Sequence, residues 1–248
     1  MNDATAAIVS AVIAGIVAVA VSLLAARSQA KELRKRFEYE QLAEKQRDRE
    51  KKRIQYLDPL VVSATDLLAK INQLRHELNN KENFWKGTFA EVKDRDRTNK
   101  EQFAFWCNGY GAGAVTTLYV TVVYFARACK IRSELPFIQL GPNDDRLLLS
   151  RLTAVREAFG GENNLWVEMQ DSLGEYVTGP DGRIMNYKEF CTKIIDPWEH
   201  IWFIRLLDFY RDIHIKRDRE LPRIVSALEQ LVLFAKGASQ PGAELKAA

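Results

Sequence analysis

Cysteine and histidine are scarce in this sequence, with three of each among 248 residues. Cys107, Cys129 and Cys191 are odd in number and far apart, so they match neither a disulfide framework nor the paired spacing of a zinc site. No His-Glu-x-x-His motif and no Gly-x-Ser-x-Gly elbow occurs. The sequence therefore indicates no metal and no cofactor, and reduced cysteines agree with a cytoplasmic location.

The three histidines, His76, His200 and His214, lack the setting of a known helical nuclease. None follows an arginine at the spacing of the R-x(4–6)-H signature of HEPN-type ribonucleases. Glu199-His200 and Asp212-x-His214 place carboxylates beside histidines, but a surface or helix-end histidine is far more usual than a catalytic one. We predict no catalytic residue, and keep a helical hydrolase or nuclease with an unrecognised site as an alternative.

Neither sign of charge is in large excess: the sequence has 36 basic and 33 acidic residues, and its net charge is +3. No global basic field therefore favours nucleic acid as a partner. Period-two alternation is also absent over any long stretch, whereas apolar residues recur at helical spacing. The sequence predicts an all-α fold.

Charge is missing altogether from one stretch, Thr5 to Ala26, whose sequence is TAAIVSAVIAGIVAVAVSLLAA. As a helix its 22 residues measure about 33 Å, enough to cross a hydrocarbon core of about 30 Å. Residues 1–26 are therefore predicted to be a transmembrane anchor. A cleaved signal peptide would instead carry its basic residues before the apolar run.

The flanks of the anchor predict its orientation. Met1, Asn2, Asp3 and Ala4 precede the uncharged stretch, and none of their side chains is basic. Because Lys and Arg stay on the cytoplasmic side, we expect the N-terminus outside and residues 27–248 inside a bacterial inner membrane. The basic residues that follow the anchor are also candidates for contact with anionic lipid headgroups: Arg27, Lys31, Arg34, Lys35 and Arg36.

Small residues recur along the anchor. Ala7, Ala11 and Gly15 follow one another at four-residue steps, and Ala18 lies beside them. Such a flat stripe lets the backbone of a second helix approach closely in lipid. We expect these residues to pack in a homo-oligomer, but an alanine-rich anchor that only needs low bulk shows the same pattern.

Residues 27–53 form a charged segment without glycine or proline, with eleven basic and six acidic residues and a net charge of +5. Pairs such as Glu32–Arg36 and Asp48–Lys52 have the favourable i,i+4 order. No heptad seam is sustained, so a long two-stranded coiled coil is not supported. We predict a solvated helical stalk that continues the anchor.

Residues 54–237 are predicted to form a cytoplasmic helical bundle, and residues 238–248 a disordered tail. Asp58-Pro59 marks a helix start, and an apolar stripe follows from Leu60 to Leu78, ending at Asn79-Asn80. Residues 81–101 lose the helical period and are expected to be a charged connection.

The later part of the domain has clear helix and turn signals. Asn186 and Glu189 predict a capping box. The aromatic residues Trp198, Trp202, Phe203, Phe209 and Tyr210 are expected to pack in the core rather than line a pocket. The remaining predicted boundaries are helices over 144–159 and 165–177, a turn at Gly179-Pro-Asp-Gly182, and helix starts at Asp196-Pro197 and Leu221-Pro222.

A second uncharged run, Gly109 to Ala126, allows two interpretations. Its 18 residues are marginal for a span and include three threonines, three tyrosines and three glycines, so we expect a helix buried in the domain. A second span would place everything beyond Arg127 outside the cell. A phosphate-binding loop at its glycines is not supported, because no strand precedes them and no Gly-Lys-Ser/Thr follows.

The succession of helix patterns resembles a family of uncharacterised bacterial proteins over residues 54–236. The resemblance rests on Tyr56-Leu-Asp-Pro-Leu60, Thr117-Leu-Tyr, Tyr124-Phe-Ala-Arg, Met169-Gln with Gly174-Glu175, and the two helices that follow. These are helix-packing patterns of low specificity. The resemblance implies a bacterial, helical protein and transfers no functional residue.

These features predict a membrane-tethered, non-enzymatic interaction or sensing domain that binds an unknown protein or small ligand below the membrane. A membrane-acting effector, whose assembled anchors perturb the bilayer as in some bacterial defence systems, is an alternative from another class.

Overall fold

The computed structural model describes residues 3–94, 99–138, 142–160, 165–213 and 217–238. Side chains are not described for 3–14, 16–20, 24–26, 49, 79–87, 92–94, 135–138, 142, 217–218 and 238. The elements in these ranges are helices, with one isolated antiparallel bridge between Thr178 and Ile184, so the all-α prediction is confirmed. The chain divides into two compact units, residues 1–51 and residues 52–248.

Nine α-helices, a π-helical turn and a 3₁₀ turn make up the described part of the chain. In chain order they are α1 (Asp3–Lys52), the π-helical turn (Arg53–Leu57), α2 (Asp58–Asp94), α3 (Lys100–Asn108), α4 (Ala112–Ile138), α5 (Pro142–Gly160), α6 (Val167–Tyr176), α7 (Tyr187–Ile195), the 3₁₀ turn (Glu199–Phe203), α8 (Ile204–Asp212) and α9 (Arg217–Ala238).

The first unit is formed by α1, so the predicted anchor and stalk are both helical. Every side chain described between residues 15 and 51 is exposed. Arg34 Nε lies 3.8 Å from Glu38 Oε1, and Lys51 Nζ lies 4.0 Å from Asp48 Oδ1, so oppositely charged neighbours do pair along the helix. Taken over its 50 residues α1 is not apolar, because the charged segment follows the uncharged one.

In the second unit, α2 starts at Asp58 as predicted, but the preceding residues form a π-helical turn rather than a break. The apolar stripe of α2 faces the core, and its most buried members are Leu60, Ala64, Leu67, Ile71, Leu74 and Leu78. Alternating steps of four and three residues bring these side chains to one face of a helix, which explains why this part of the fold follows from the sequence.

The predicted end of this helix at Asn79-Asn80 is wrong, because α2 continues to Asp94. The expected connection over residues 81–101 therefore begins as helix. Phe89 explains the difference: its side chain is buried, and its ring stacks on Tyr210 with a centroid distance of 5.3 Å. A contact with a residue far along the chain stabilises the last turns of α2 where the local pattern fades.

Helix α4 packs against α2 on one side and α6 on another. Gly174 permits the close approach of α6, since a Cβ atom at that position would lie 2.8 Å from the carbonyl carbon of Phe125 and 2.9 Å from the amide nitrogen of Ala126. Residues 112–126 of the second uncharged run thus lie in a helix with many buried side chains, among them Ala114, Val115, Leu118, Val122, Tyr124 and Phe125.

Where side chains are described, the segment that is long and apolar enough to cross a membrane is Ala112–Glu134, within α4. Its apolar window is 56% buried inside the fold. Length and composition alone fit a span, whereas this degree of burial is what a core helix of a domain shows.

Two predicted boundaries near the C-terminus need correction. The last helix begins at Arg217 rather than at Leu221-Pro222, and Pro222 lies inside it. The helix expected from Asp196-Pro197 is a 3₁₀ turn first and becomes α-helical only at Ile204. The predicted tail is outside the described residues from 239 onward, and so is His214.

The local turn signals were more reliable. Asn186 Oδ1 accepts a hydrogen bond from the Glu189 amide at 3.0 Å, and the Asn186 amide donates to Glu189 Oε2 at 2.7 Å, which confirms the capping box. The predicted turn is present as well: Gly182 has φ +75°, and its amide donates to the Gly179 carbonyl at 2.8 Å. A left-handed φ of this kind favours glycine.

Candidate functional site

A groove between α2 and α4 is a concave surface formed by residues that the structure describes. Its volume is about 430 Å³. The first turns of α2 and Ile54 of the π-helical turn form one wall, and a single turn of α4 forms the other. The lining residues are Ile54, Asp58, Pro59, Val62, Ser63, Asp66, Val123 and Arg127.

The geometry of helices explains how the sequence builds this groove. Asp58, Val62 and Asp66 recur at four-residue steps, so they share one face of α2. On α4, Val123 and Arg127 are also four residues apart. The apolar stripe of α2 that starts at Leu60 points into the core, which leaves this second face for the groove.

Arg127 is half-buried, and it makes no hydrogen bond or ion pair with any residue that the structure describes. The same holds for the side chains of Asp58 and Asp66 within the described ranges. Ser63 is satisfied internally, because its hydroxyl donates to the Leu60 carbonyl at 3.0 Å. The groove therefore offers one guanidinium and two carboxylates beside apolar walls.

A second surface is aromatic and lies around the 3₁₀ turn. Trp198 is 81% exposed, Trp202 is 59% exposed and Ile201 is 52% exposed. The Trp202 ring stacks on Tyr176 at a centroid distance of 5.9 Å, and Lys193 Nζ lies 5.6 Å from the Tyr176 ring centre. Tryptophans at such exposure are common at protein and membrane interfaces.

The expectation that the aromatic cluster packs in the core is therefore half right. Phe203, Phe209 and Tyr210 are buried, whereas Trp198 and Trp202 are not. The cause is the 3₁₀ turn, which has about three residues per turn and so breaks the α-helical spacing on which the prediction relied.

Three charged side chains join α4, α5 and α6. Asp171 accepts hydrogen bonds from Arg132 and Arg156 through separate carboxylate oxygens. All three are partly buried, with side-chain exposures of 31%, 15% and 20% respectively. Each guanidinium is held by a partner from another helix, so the cluster acts as a structural clamp on the described fold.

Burial raises the pKa of two phenols inside the domain, those of Tyr210 and Tyr187. Tyr210 Oη lies 2.7 Å from Thr121 Oγ1 in the core, and burial raises the pKa of the Tyr210 phenol despite that hydrogen bond. Burial likewise raises the pKa of Tyr187 to about 12. Neither phenol is therefore prepared to ionise near neutral pH.

Glu199 and His200, one of the two candidate acid–base pairs, each have a local partner. Glu199 Oε1 accepts a hydrogen bond from Lys193 Nζ at 2.6 Å. His200 Nδ1 lies 2.7 Å from the Pro197 carbonyl, and His76 is exposed. Across the side chains that the structure describes, no group of three or more His, Cys, Asp or Glu residues is placed to hold a metal ion.

The residues predicted to act in the membrane all belong to α1. Arg27, Lys31, Arg34, Lys35 and Arg36 are exposed, as headgroup contacts would require. Of the four packing residues only Gly15 is described beyond its backbone, and a Cβ atom there would meet nothing within 4 Å. The side chains of the other three, Ala7, Ala11 and Ala18, lie outside the described part of the chain.

The groove was not predicted from the sequence. The sequence pattern that could have indicated it is the four-residue spacing of Asp58, Val62 and Asp66 on one face of α2. The apolar stripe on the neighbouring face is the more prominent pattern in this helix.

Comparison of the chain with protein-family models, with curated proteins and with solved structures finds no match. The resemblance to a family of uncharacterised bacterial proteins therefore still rests on the helix-packing patterns alone.

Proposed function

We propose that this protein is a membrane-tethered, non-enzymatic helical domain that binds a protein or small-ligand partner at the cytoplasmic face of a bacterial inner membrane. One observation carries the proposal: α1 joins an uncharged stretch of membrane-spanning length to a highly charged, exposed stretch in one helix. In lipid a helix satisfies its own backbone hydrogen bonds, and the basic residues after Ala26 favour an N-terminus outside.

The second unit supports the binding role in this proposal. The described core residues all lie at or beyond Leu57, which supports folding of this unit without the tether. It presents both the groove between α2 and α4 and the exposed tryptophans of the 3₁₀ turn. In this proposal α4 is a core helix and the chain crosses the membrane once; the burial of α4 and the ion pair of Arg132 with Asp171 support that choice.

Topology is the direct test of the proposal. The full chain is fused at its C-terminus either to green fluorescent protein or to alkaline phosphatase and expressed in a bacterium. We expect fluorescent membranes that resist carbonate extraction and an inactive phosphatase. Active phosphatase would mean that the domain lies outside or that α4 also crosses, and extraction into the soluble fraction would contradict the tether.

A variant in α1 tests whether the tether also assembles. Gly15→Ile adds bulk to the small-residue face while keeping the segment apolar, so crosslinked oligomers in native membranes should decrease. Val17→Ile is the matched control, because two residues place it roughly 200° around the helix. We expect neither the parent nor the variants to depolarise cells; depolarisation that Gly15→Ile abolishes would favour the membrane-acting effector instead.

A further inference from the structure

We propose that the groove between α2 and α4 is the surface through which two copies of this chain associate, with Arg127 of each copy facing Asp58 and Asp66 of the other. The inference rests on the proposed function, since the tether is what brings copies together.

The charges of the groove identify the occupant. A two-fold interface uses the same patch on both copies, so the patch must be complementary to itself. A patch of one sign would repel its own copy. This groove carries Arg127 together with Asp58 and Asp66, and none of the three has an ion-pair partner among the described residues. In the pair of copies each guanidinium gains a carboxylate.

The apolar part of the groove has the right placement for such a contact. Val62 lies between the two aspartates on α2 and is 60% exposed, and Ile54 is 54% exposed. Val123 adds an apolar wall from α4. An apolar centre with a charged rim is the usual arrangement of protein interfaces. A groove of about 430 Å³ accommodates a few side chains of a facing helix.

The proposed tether supplies a further reason. Copies confined to one membrane face meet at a high effective concentration, so a modest interface is enough to hold them together. A second copy is also the one partner that accompanies every molecule. A helix from a different protein is the competing occupant, and the experiment below separates the two.

The test uses charge reversal in full chains carrying two different affinity tags, co-expressed and purified in detergent. Arg127→Glu is expected to weaken recovery of the second tag by roughly tenfold or more, because like charges then face each other. Asp58→Asn/Asp66→Arg should do the same. Asp58 becomes Asn because it lies in the first turn of α2, where a cation would oppose the helix dipole.

Mixing the two variants gives the decisive result. Glu at position 127 of one copy then faces Arg at position 66 of the other, while Arg127 of the second copy faces the unchanged Asp58 and Asp66 of the first. We expect recovery to return to the parental level. Arg146→Glu is the matched control, because it makes the same charge change at an exposed position of α5 and should change nothing.

Equal recovery for Arg127→Glu and Arg146→Glu would overturn the proposal, as would two weakened variants that do not restore each other. Thermal unfolding of each variant shows whether it folds. If a charge-reversal variant does not fold, a crosslinking experiment replaces it. In that experiment Val62→Cys is introduced together with Cys129→Ser, and the membranes are treated with a short bismaleimide. A dimer band is expected there and not for Ser172→Cys, and equal bands contradict the groove. A soluble parental chain would instead refute the tether itself.

Discussion

Helices α1 and α2 stand next to each other in the sequence but differ in what surrounds them. Between residues 15 and 51 the described side chains of α1 are exposed, whereas the stripe of α2 from Leu60 to Leu78 is buried. Burial of a leucine contributes about 1.5–3 kcal/mol, so α2 is stabilised mainly by tertiary packing. Among the described side chains of α1 the ion pairs are local, such as Arg34–Glu38, and each contributes a few tenths of a kcal/mol.

The difference implies different partners. A helix stabilised by local interactions alone is marginal in water, so we expect lipid or another chain to stabilise the apolar part of α1. The second unit has that support internally. Mutations should therefore act on α1 through its environment and on the second unit through its core.

The largest contrast is expected between two leucines. Leu67→Asp places an unpaired charge in the core, where the parental side chain is fully buried, and should lower the free energy of unfolding by roughly 3 kcal/mol or more. Leu33→Asp is the control on α1, where the parental side chain is 65% exposed, and should change it by less than about 0.5 kcal/mol. Thermal unfolding of the full chain in detergent, followed by circular dichroism, measures both; equal melting would place Leu67 outside the core.

An intermediate effect is expected from two glycines. Gly174→Ala should destabilise the domain by about 1–3 kcal/mol, because its Cβ atom would overlap the backbone of α4 at Phe125 and Ala126. Gly15→Ala should cause no loss of stability, since the added Cβ atom would meet nothing within 4 Å. The same unfolding measurement applies. An unchanged Gly174→Ala variant would mean that α6 and α4 separate easily and that their close packing contributes little.

The smallest effect is expected in the pH dependence of stability, through the carboxyl group of Glu189. Glu189 accepts two hydrogen bonds from Arg183 at 3.0 Å and one from the Asn186 amide, and these interactions lower the pKa of its carboxyl, the guanidinium first. Because the carboxyl pKa of Glu189 is lower in the folded chain than in the unfolded one, where it is about 4.3, the ionised carboxylate stabilises the fold above that pH. This stabilisation is lost as the pH falls through the pKa of the folded state.

Glu189→Gln should therefore melt slightly below the parent at pH 7 and show a smaller difference as the pH falls below about 4. Glu38→Gln is the control, because its pair with Arg34 is highly exposed and such pairs contribute little. Melting temperatures across this pH range give the result. A difference that persists in acid would show that the Glu189 side chain acts through packing rather than charge.

The sequence predicted correctly those features that depend on residues close together in the chain. The buried stripe of α2 and the capping box at Asn186 depend on residues within a few positions of one another, and both are present. The continuation of α2 to Asp94 depends on the contact of Phe89 with Tyr210, which are far apart in the sequence. The helical part around Pro222 was missed for a similar reason, because Glu220 and Leu221 just before it are buried in the domain.

The groove could not be predicted because it depends on the register between two helices. The spacing of Asp58, Val62 and Asp66 gives one face of α2, but only the packing of α4 places Arg127 opposite that face. The sequence indicated neither which helices are neighbours nor which turns of them meet.

The uneven placement of the tryptophans determines how this protein can be observed by its own fluorescence. Trp106 is buried and stacks on Phe103 at 5.6 Å, whereas Trp166, Trp198 and Trp202 are largely in water. Exposed indoles already emit at long wavelength in the folded state, so unfolding shifts their spectrum little. Emission near the 3₁₀ turn will instead report on anything that covers it, while Trp106 reports on the core.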